Sequence, residues 1–276
     1  MRPHVSYSEL GQFHNDCQWR WKLDYLENKR SEKFSIHFDF GTATHEALEL
    51  HLTRKEPITV DEAVHVFRTR LIELEGEHRR LYEGDEYKLD ELLVSGERIL
   101  RHLNDCEELA KAEVVHNEFP LLEDIGREDG EPIKFKGFID LVIKTKDKRG
   151  NTILYVIDFK TCSWGWNREK REDRWLHYQI FLYKYYLCKK FDIDPKLVRT
   201  AFVLLKKKPP KNGSPIEFFP VSAGPVSVQR ALNEVGSIVT EMVEKSKTGD
   251  FEKNRKSCID SYGHTCPYYK GTLCPE

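Results

Sequence analysis

The sequence predicts an α/β domain, a small central sheet with helices on both faces and helical lobes attached. Three observations predict it. The first 110 residues carry helical periodicity, the middle switches to short β-branched and aromatic runs, and a helix separates the third of these runs from the fourth.

Residues 6–26, SYSELGQFHNDCQWRWKLDYL, read as a short amphipathic helical lobe rich in aromatics. GTATHEALELHL (41–52) follows as a helix. TVDE (59–62) has the capping-box pattern, with Thr59 three residues ahead of Glu62, and opens a helix to about Arg80. Another helical stretch covers about Tyr87 to Lys111. The period then changes. EVVHNEF (113–119), IKFKGFIDLVIK (133–144) and TILYVIDFK (152–160) are strand-like, and the turn KDKRGN (146–151) makes the last two a hairpin. A helix near 172–190, a strand TAFVLLKK (200–207) and a short strand IEFFPV (216–221) follow. A long helix at about 226–247 ends before Gly249, a C-cap. These elements divide the chain into a mainly helical part (1–112), a sheet-containing core (113–222) and a C-terminal helix with a cysteine-rich tail (223–276), expected to pack back on the N-terminal lobe.

Hydrophobic content of 39% and charged content of 33% describe a globular chain rather than a disordered one. No apolar run approaches the roughly eighteen residues of a membrane span. The opening MRPHVSYSEL has no apolar signal core, so an intracellular, cytoplasmic chain without membrane contact is expected. A net charge of −2 gives no global argument for nucleic acid. Such contact would come from local runs, KKKPPK (206–211) and NREKRE (167–172), each of which also suits a solvated loop. Seven cysteines without a secretory signal argue against a disulfide framework. Cys258, Cys266 and Cys274 crowd the last nineteen residues and Cys17 lies near the start, which leaves metal or cluster binding as the alternative to free thiols. Cys106, Cys162 and Cys188 read as ordinary buried or free cysteines.

The chemistry centres on YVIDFKT (155–161). Asp158 and Lys160 are two residues apart, so a strand puts both on one face, and the hairpin could bring Asp140 of GFIDLVI to the same end. Two converging carboxylates repel unless a proton or cation lies between them. Hard oxygen ligands suit Mg²⁺ or Mn²⁺, and Lys160 could stabilise charge on a phosphate or orient an attacking water. Read in isolation, Asp158 and Lys160 could also be a structural ion pair at a strand end.

These residues resemble the PD-(D/E)xK nuclease superfamily, in its RecB-like branch. The pattern is Asp140 on one strand and Asp158, Phe159 and Lys160 on the next, with His45 in GTATHEALE upstream and Gln179 and Tyr183 in HYQIFLY downstream. The resemblance covers about residues 6 to 274 and implies a restriction-endonuclease-like core. It implies that His45, Asp140, Asp158 and the Phe159 backbone carbonyl hold Mg²⁺ or Mn²⁺, with Glu118 a further candidate. Lys160 would be the catalytic lysine, and Gln179 and Tyr183 would line the same cleft.

Some members of the branch hold a [4Fe–4S] cluster with one cysteine before the core and three after it, a distribution matched by Cys17, Cys258, Cys266 and Cys274. The spacing departs from the family's tight tail, with seven residues in each interval. Zinc on these thiolates, or with His264 replacing one, is the alternative. SWGWNREKREDRW (163–175) follows the catalytic strand, and Trp164, Trp166, Arg168, Lys170, Arg171 and Arg174 could stack bases and contact phosphates. The loop's tryptophans could equally close the core. The resemblance therefore implies a metal-dependent deoxyribonuclease, first an exonuclease on single-stranded or end-processed DNA, with partners in recombination, repair or CRISPR adaptation left open. The rivals are a non-catalytic DNA-binding or assembly subunit and a structure- or site-specific endonuclease. Retention of Asp140, Asp158 and Lys160 argues against the first of these.

Overall fold

The computed structural model describes residues 2–29, 34–82, 86–125, 133–259 and 265–275. In chain order the elements are β1 (His4–Ser6), α1 (Tyr7–Gly11), α2 (Gln18–Trp21), α3 (Ile36–His51), α4 (Val60–His78), α5 (Leu89–Arg101) and α6 (Glu107–Ala110). They continue with β2 (Glu113–Ile125), β3 (Ile133–Lys146), β4 (Thr152–Cys162), α7 (Arg168–Glu172), α8 (Arg174–Phe191), β5 (Val198–Lys206), β6 (Ile216–Val221) and α9 (Pro225–Thr248). The chain divides into two compact units. The larger takes Phe34–Leu121 and Phe138–Val228, and the smaller takes Met1–Lys33, Leu122–Gly137 and Gln229–Glu276.

In the larger unit β3 and β4 pair antiparallel, β4 and β5 parallel, and β5 and β6 antiparallel. β2 pairs with β3. The hairpin turn between β3 and β4 is closed by Asp147, whose carboxylate accepts the N–H groups of Arg149 and Asn151 at 2.9 Å. The β4–β5 connection passes through α7 and α8, as a parallel pair requires.

One face of this sheet presents every second strand residue: Leu141 and Ile143, Ile157 and Phe159, Ala201 and Val203. Helices α3 to α5 cover it. In α3 the buried residues Ile36, Phe40, Ala43, Ala47 and Leu48 recur at helical spacing, and the Ser35 side chain caps the first turn by accepting the His37 N–H. Helix α4 opens with the expected capping box, both halves of which form between Thr59 and Glu62. The opposite face carries Val142, Val156, Asp158 and Phe202, and α8 packs there, with His177 against Phe202 at 6.3 Å between ring centroids. Asp173 starts α8 by accepting the N–H groups of Trp175 and Leu176.

The smaller unit joins the two ends of the chain. Trp19 N–H donates to the Glu252 carbonyl at 2.9 Å, its indole N–H to the Leu273 carbonyl at 3.0 Å, and the Tyr268 hydroxyl to Asp24 at 2.6 Å. Trp21 is fully buried, edge-on to Phe13 at 5.2 Å, and donates its indole N–H to the buried Glu9 at 3.2 Å. β1 runs parallel to Lys134–Lys136 of β3.

Two local expectations change, and one strand was not foreseen. The lobe over 6–26 is two short helices interrupted by wider turns at Gln12–Asp16 and Lys22–Leu26. The helix expected from Tyr87 to Lys111 stops at Arg101, because Asn104 and Asp105 favour the turn that precedes α6. β1 has three residues, too few to show a period.

Helices α4 and α5 interlock where Gly96 meets Phe67: a Cβ at Gly96 would lie 2.0 Å from the ring. Gly96→Ala should therefore destabilise the protein by about 1–3 kcal/mol through overpacking. Gly236, inside α9, has nothing within 4 Å of a built Cβ. Gly236→Ala should stabilise by roughly 0.5–1 kcal/mol. Urea unfolding of both variants checks the opposite signs.

Candidate active site

The β3–β4 ladder runs from Lys146↔Thr152 to Leu141↔Ile157 and stops there. The next pair in register would set Asp140 directly across from Asp158, and like charges directly opposite destabilise a sheet. The strands part at that point. Phe159, released from the ladder on this edge, donates its N–H to Asp140 Oδ2 at 2.7 Å. On its other edge β4 continues against β5, with Asp158↔Phe202, Phe159↔Val203 and Lys160↔Leu204. A strand residue's N–H and C=O face the same edge, so the Phe159 carbonyl also faces the opened gap. Its side chain is buried against α3 to α5.

His45 enters from α3, its Nδ1 3.7 Å from Asp140 Oδ2 and its ring edge-on to Phe159 at 6.2 Å. Glu118 enters from β2 with φ +43, a left-handed backbone that costs a non-glycine residue on the order of 1 kcal/mol. One ligand atom from each of His45, Glu118 and Asp140 lies within 4.8 Å of the others, the one such group of His, Cys, Asp and Glu among the described residues. These three line a small cavity with Glu49, Asn117 and Phe159. Asp158 stands outside that trio. It is buried, and its Oδ2 lies 2.8 Å from Lys160 Nζ in an ion pair without an aligned hydrogen bond. Lys160 Nζ donates to Gln179 Oε1 at 2.9 Å, and Gln179 Nε2 donates to the Tyr183 hydroxyl at 3.1 Å. Asp158, Lys160, Gln179 and Tyr183 thus form one chain of contacts.

The electrostatics follow from crowding. Burial, then the neighbouring Asp158, push the Asp140 carboxyl well above its usual range, while Lys160 and the Phe159 N–H pull it down. Burial, then Glu49 and Asp158, raise Glu118. Burial lowers His45 against the pull of Asp158, which favours the neutral imidazole a metal ion requires. Burial alone would depress Lys160, but Asp158 and then Asp140 more than offset it, so the ammonium is held charged. Burial, then Asp158, keep Tyr183 a neutral phenol. Oxygen-rich ligands, a neutral imidazole and carboxyls that resist ionising together make a donor set suited to a hard divalent cation.

Residues 4–274 match the sequence profile of the PD-(D/E)XK nuclease superfamily. The chain belongs to that superfamily. A crystal structure of a "Putative exonuclease" from Eubacterium rectale is similar to this nuclease-superfamily chain at a TM-score of 0.57 and 12% identity, over 91% of this chain and 84% of that one. At that identity the likeness shows the fold, the restriction-endonuclease-like arrangement of a mixed sheet flanked by helices. None of the curated proteins is similar enough to match. No helix among the described residues is long and apolar enough to cross a membrane.

The remaining sequence candidates of this superfamily member fall into two places. Cys17, Cys258, Cys266 and Cys274 line one cavity of the smaller unit. The Asn254 N–H approaches Cys17 Sγ at 3.4 Å, and Arg255 Nη1 approaches Cys274 Sγ at 3.6 Å. Burial, then Cys266, Cys17 and Cys274, raise the Cys258 thiol. Converging thiols with N–H donors aimed at sulfur fit a thiolate-held cofactor. His264 lies outside the described residues. In the loop after β4, Trp164 is exposed, as are Arg168, Lys170 and Arg174. Trp166 and Arg171 are not presented to a ligand. Trp166 is buried against Phe202 at 5.0 Å, and Arg171 is spent on Glu217 at 2.6 Å and the Trp166 carbonyl at 2.8 Å.

Sequence reasoning missed Glu49 and Asn117. Glu49 lies one helical turn after His45, a spacing that signals the shared face. Asn117 carries no such signal; its side chain donates to the Glu49 carbonyl at 2.9 Å.

Excess Mn²⁺ should stabilise the wild type by about 2.7 kcal/mol at a hundred times Kd. Asp140→Asn keeps an acceptor for the Phe159 N–H while removing the charge. That variant should be at least as stable as wild type in a chelator and gain nothing from Mn²⁺, as read by thermal unfolding.

Proposed function

We propose that this chain is a divalent-metal-dependent deoxyribonuclease of the RecB-like branch, acting as an exonuclease on single-stranded or end-processed DNA. The observation that carries the reading is the pairing of two groups across the opened β3–β4 gap: a His45–Glu118–Asp140 trio within 4.8 Å, and a lysine held charged by Asp158 and Asp140 and positioned by Gln179. His45, Asp140, the Phe159 carbonyl and Glu118 would hold Mg²⁺ or Mn²⁺. Asp158 joins this ligand set in the superfamily's pattern, and here its carboxylate also fixes Lys160. A bound cation of this kind activates water and neutralises phosphoryl charge.

The protein's own groups do the rest. Lys160 brings a fixed positive charge to the scissile phosphate, where charge grows in the transition state. Gln179 is a positioning residue, its oxygen accepting from Lys160 and its nitrogen donating to Tyr183. The branch assignment is supported by His45 ahead of the strands and Gln179 with Tyr183 behind them. The exonuclease assignment is supported by the name carried by the Eubacterium rectale neighbour. We further propose that Cys17, Cys258, Cys266 and Cys274 hold a [4Fe–4S] cluster that ties the chain ends together in a structural role.

With Mg²⁺ or Mn²⁺ and end-labelled DNA, wild type should release nucleotides from ends, and Lys160→Ala should lose about 10²-fold in rate, the scale of a lost transition-state donor. Asp140→Ala should lose at least as much. An inactive wild type, or equal cleavage by the variants, contradicts the catalytic assignment. Anaerobically purified protein should be brown and contain iron and sulfide. A colourless preparation with stoichiometric zinc rejects the cluster.

A further inference from the structure

The basic run KKKPPK meets the segment that follows the catalytic strand, more than forty residues earlier in the sequence. The Lys207 N–H donates to the Cys162 carbonyl at 2.8 Å and the Lys208 N–H to the Ser163 carbonyl at 2.7 Å, so the start of KKKPPK continues alongside the end of β4. Lys208 Nζ then lies 5.7 Å from the centroid of the Trp164 ring, and Trp164 is 69% exposed. The first turn of α3 meets the same end: Lys207 Nζ is 3.0 Å from His37 Nδ1 and 5.3 Å from the Phe40 ring. Phe38, on that turn, is 65% exposed.

The exposure of Trp164 is built in. In an extended chain Trp164 and Trp166 would point to one side, yet Trp166 is buried. Gly165 lies between them at φ +113, which L side chains rarely adopt, and this reversal turns one indole inward and the other out. Arg171 then locks the inward half through the Trp166 carbonyl and Glu217. Glu91 of α5 feels the Lys208 charge, but Lys88 already engages it at 2.9 Å. An exposed indole, a cation over its ring and a fixed backbone beneath make a stacking surface. Trp164 follows Lys160 by four residues, about 13 Å of extended chain.

We propose that Trp164 and Lys208, with Phe38 beside them, form a platform that takes an unpaired base of a DNA strand leading to the catalytic gap. The indole receives the π-face of the base and Lys208 the adjoining phosphate. A base in a duplex has that face covered by its neighbours, so the platform selects single strands. This rests on the nuclease reading for its choice of ligand, and the test separates the two.

Binding is measured by fluorescence anisotropy in a chelator, where no cleavage intervenes, with a labelled single-stranded oligonucleotide and a blunt duplex of the same sequence. Trp164→Ala should weaken single-strand binding about tenfold, within the range of one base–aromatic stack, and leave duplex binding unchanged. Trp164→Phe should restore most of the loss. Lys208→Ala should flatten the salt dependence of single-strand binding by a slope of about 0.7. Unchanged single-strand binding by Trp164→Ala, or equal loss on both ligands, overturns the platform. If wild type cleaves nothing with metal while the Trp164 effect persists, the nuclease reading fails and the platform stands.

Discussion

The parting of β3 from β4 at Asp140 and Asp158 is the constraint on which the rest of the site depends. Ladder register would seat two carboxylates face to face at the end of a buried strand. Opening the pair removes that contact and converts a ladder amide into a ligand for a side chain, the Phe159 N–H on Asp140 at 2.7 Å. The same opening leaves the Phe159 carbonyl, which faces that edge, free of β3. Had the ladder continued, that carbonyl would be consumed by β3 and the gap into which His45 and Glu118 reach would be closed.

The gap separates two kinds of charge. On one side stand carboxyls and a neutral imidazole, which resist ionising together. On the other, Asp158 draws Lys160 into a fixed position, and Gln179 and Tyr183 hold it from behind. The buried Asp158 is therefore better understood through its lysine than through the trio, although it shapes both. In the proposed mechanism this division lets one strand present cation ligands and a cation within two residues of each other.

Much of this was legible in the sequence, because strand alternation and helical spacing are local. Asp158 with Lys160, and Gln179 with Tyr183, each follow from a period. The approach of Asp140 followed from the hairpin turn at 146–151. The opening of the ladder was not legible, since alternation describes which face a residue takes and says nothing of where two strands part. Glu118 required a left-handed residue inside β2, a conformation that glutamate does not advertise. The difference between Trp164 and Trp166 turned on the conformation of Gly165. Composition marked both as aromatic residues among cations, and only the backbone decided which one reaches solvent.

In the proposed mechanism the opened gap is a divalent-cation site built partly from backbone. The most direct measurement is anomalous scattering from crystals grown with Mn²⁺. One strong peak is expected in the gap, at about 2.0–2.2 Å from an Asp140 oxygen and the Phe159 carbonyl, the range of small hard cations, with His45 coordinated to the same ion. A saturating Mn²⁺ soak that leaves the gap without a peak, with Asp140 still bonded to the Phe159 N–H alone, would contradict that mechanism.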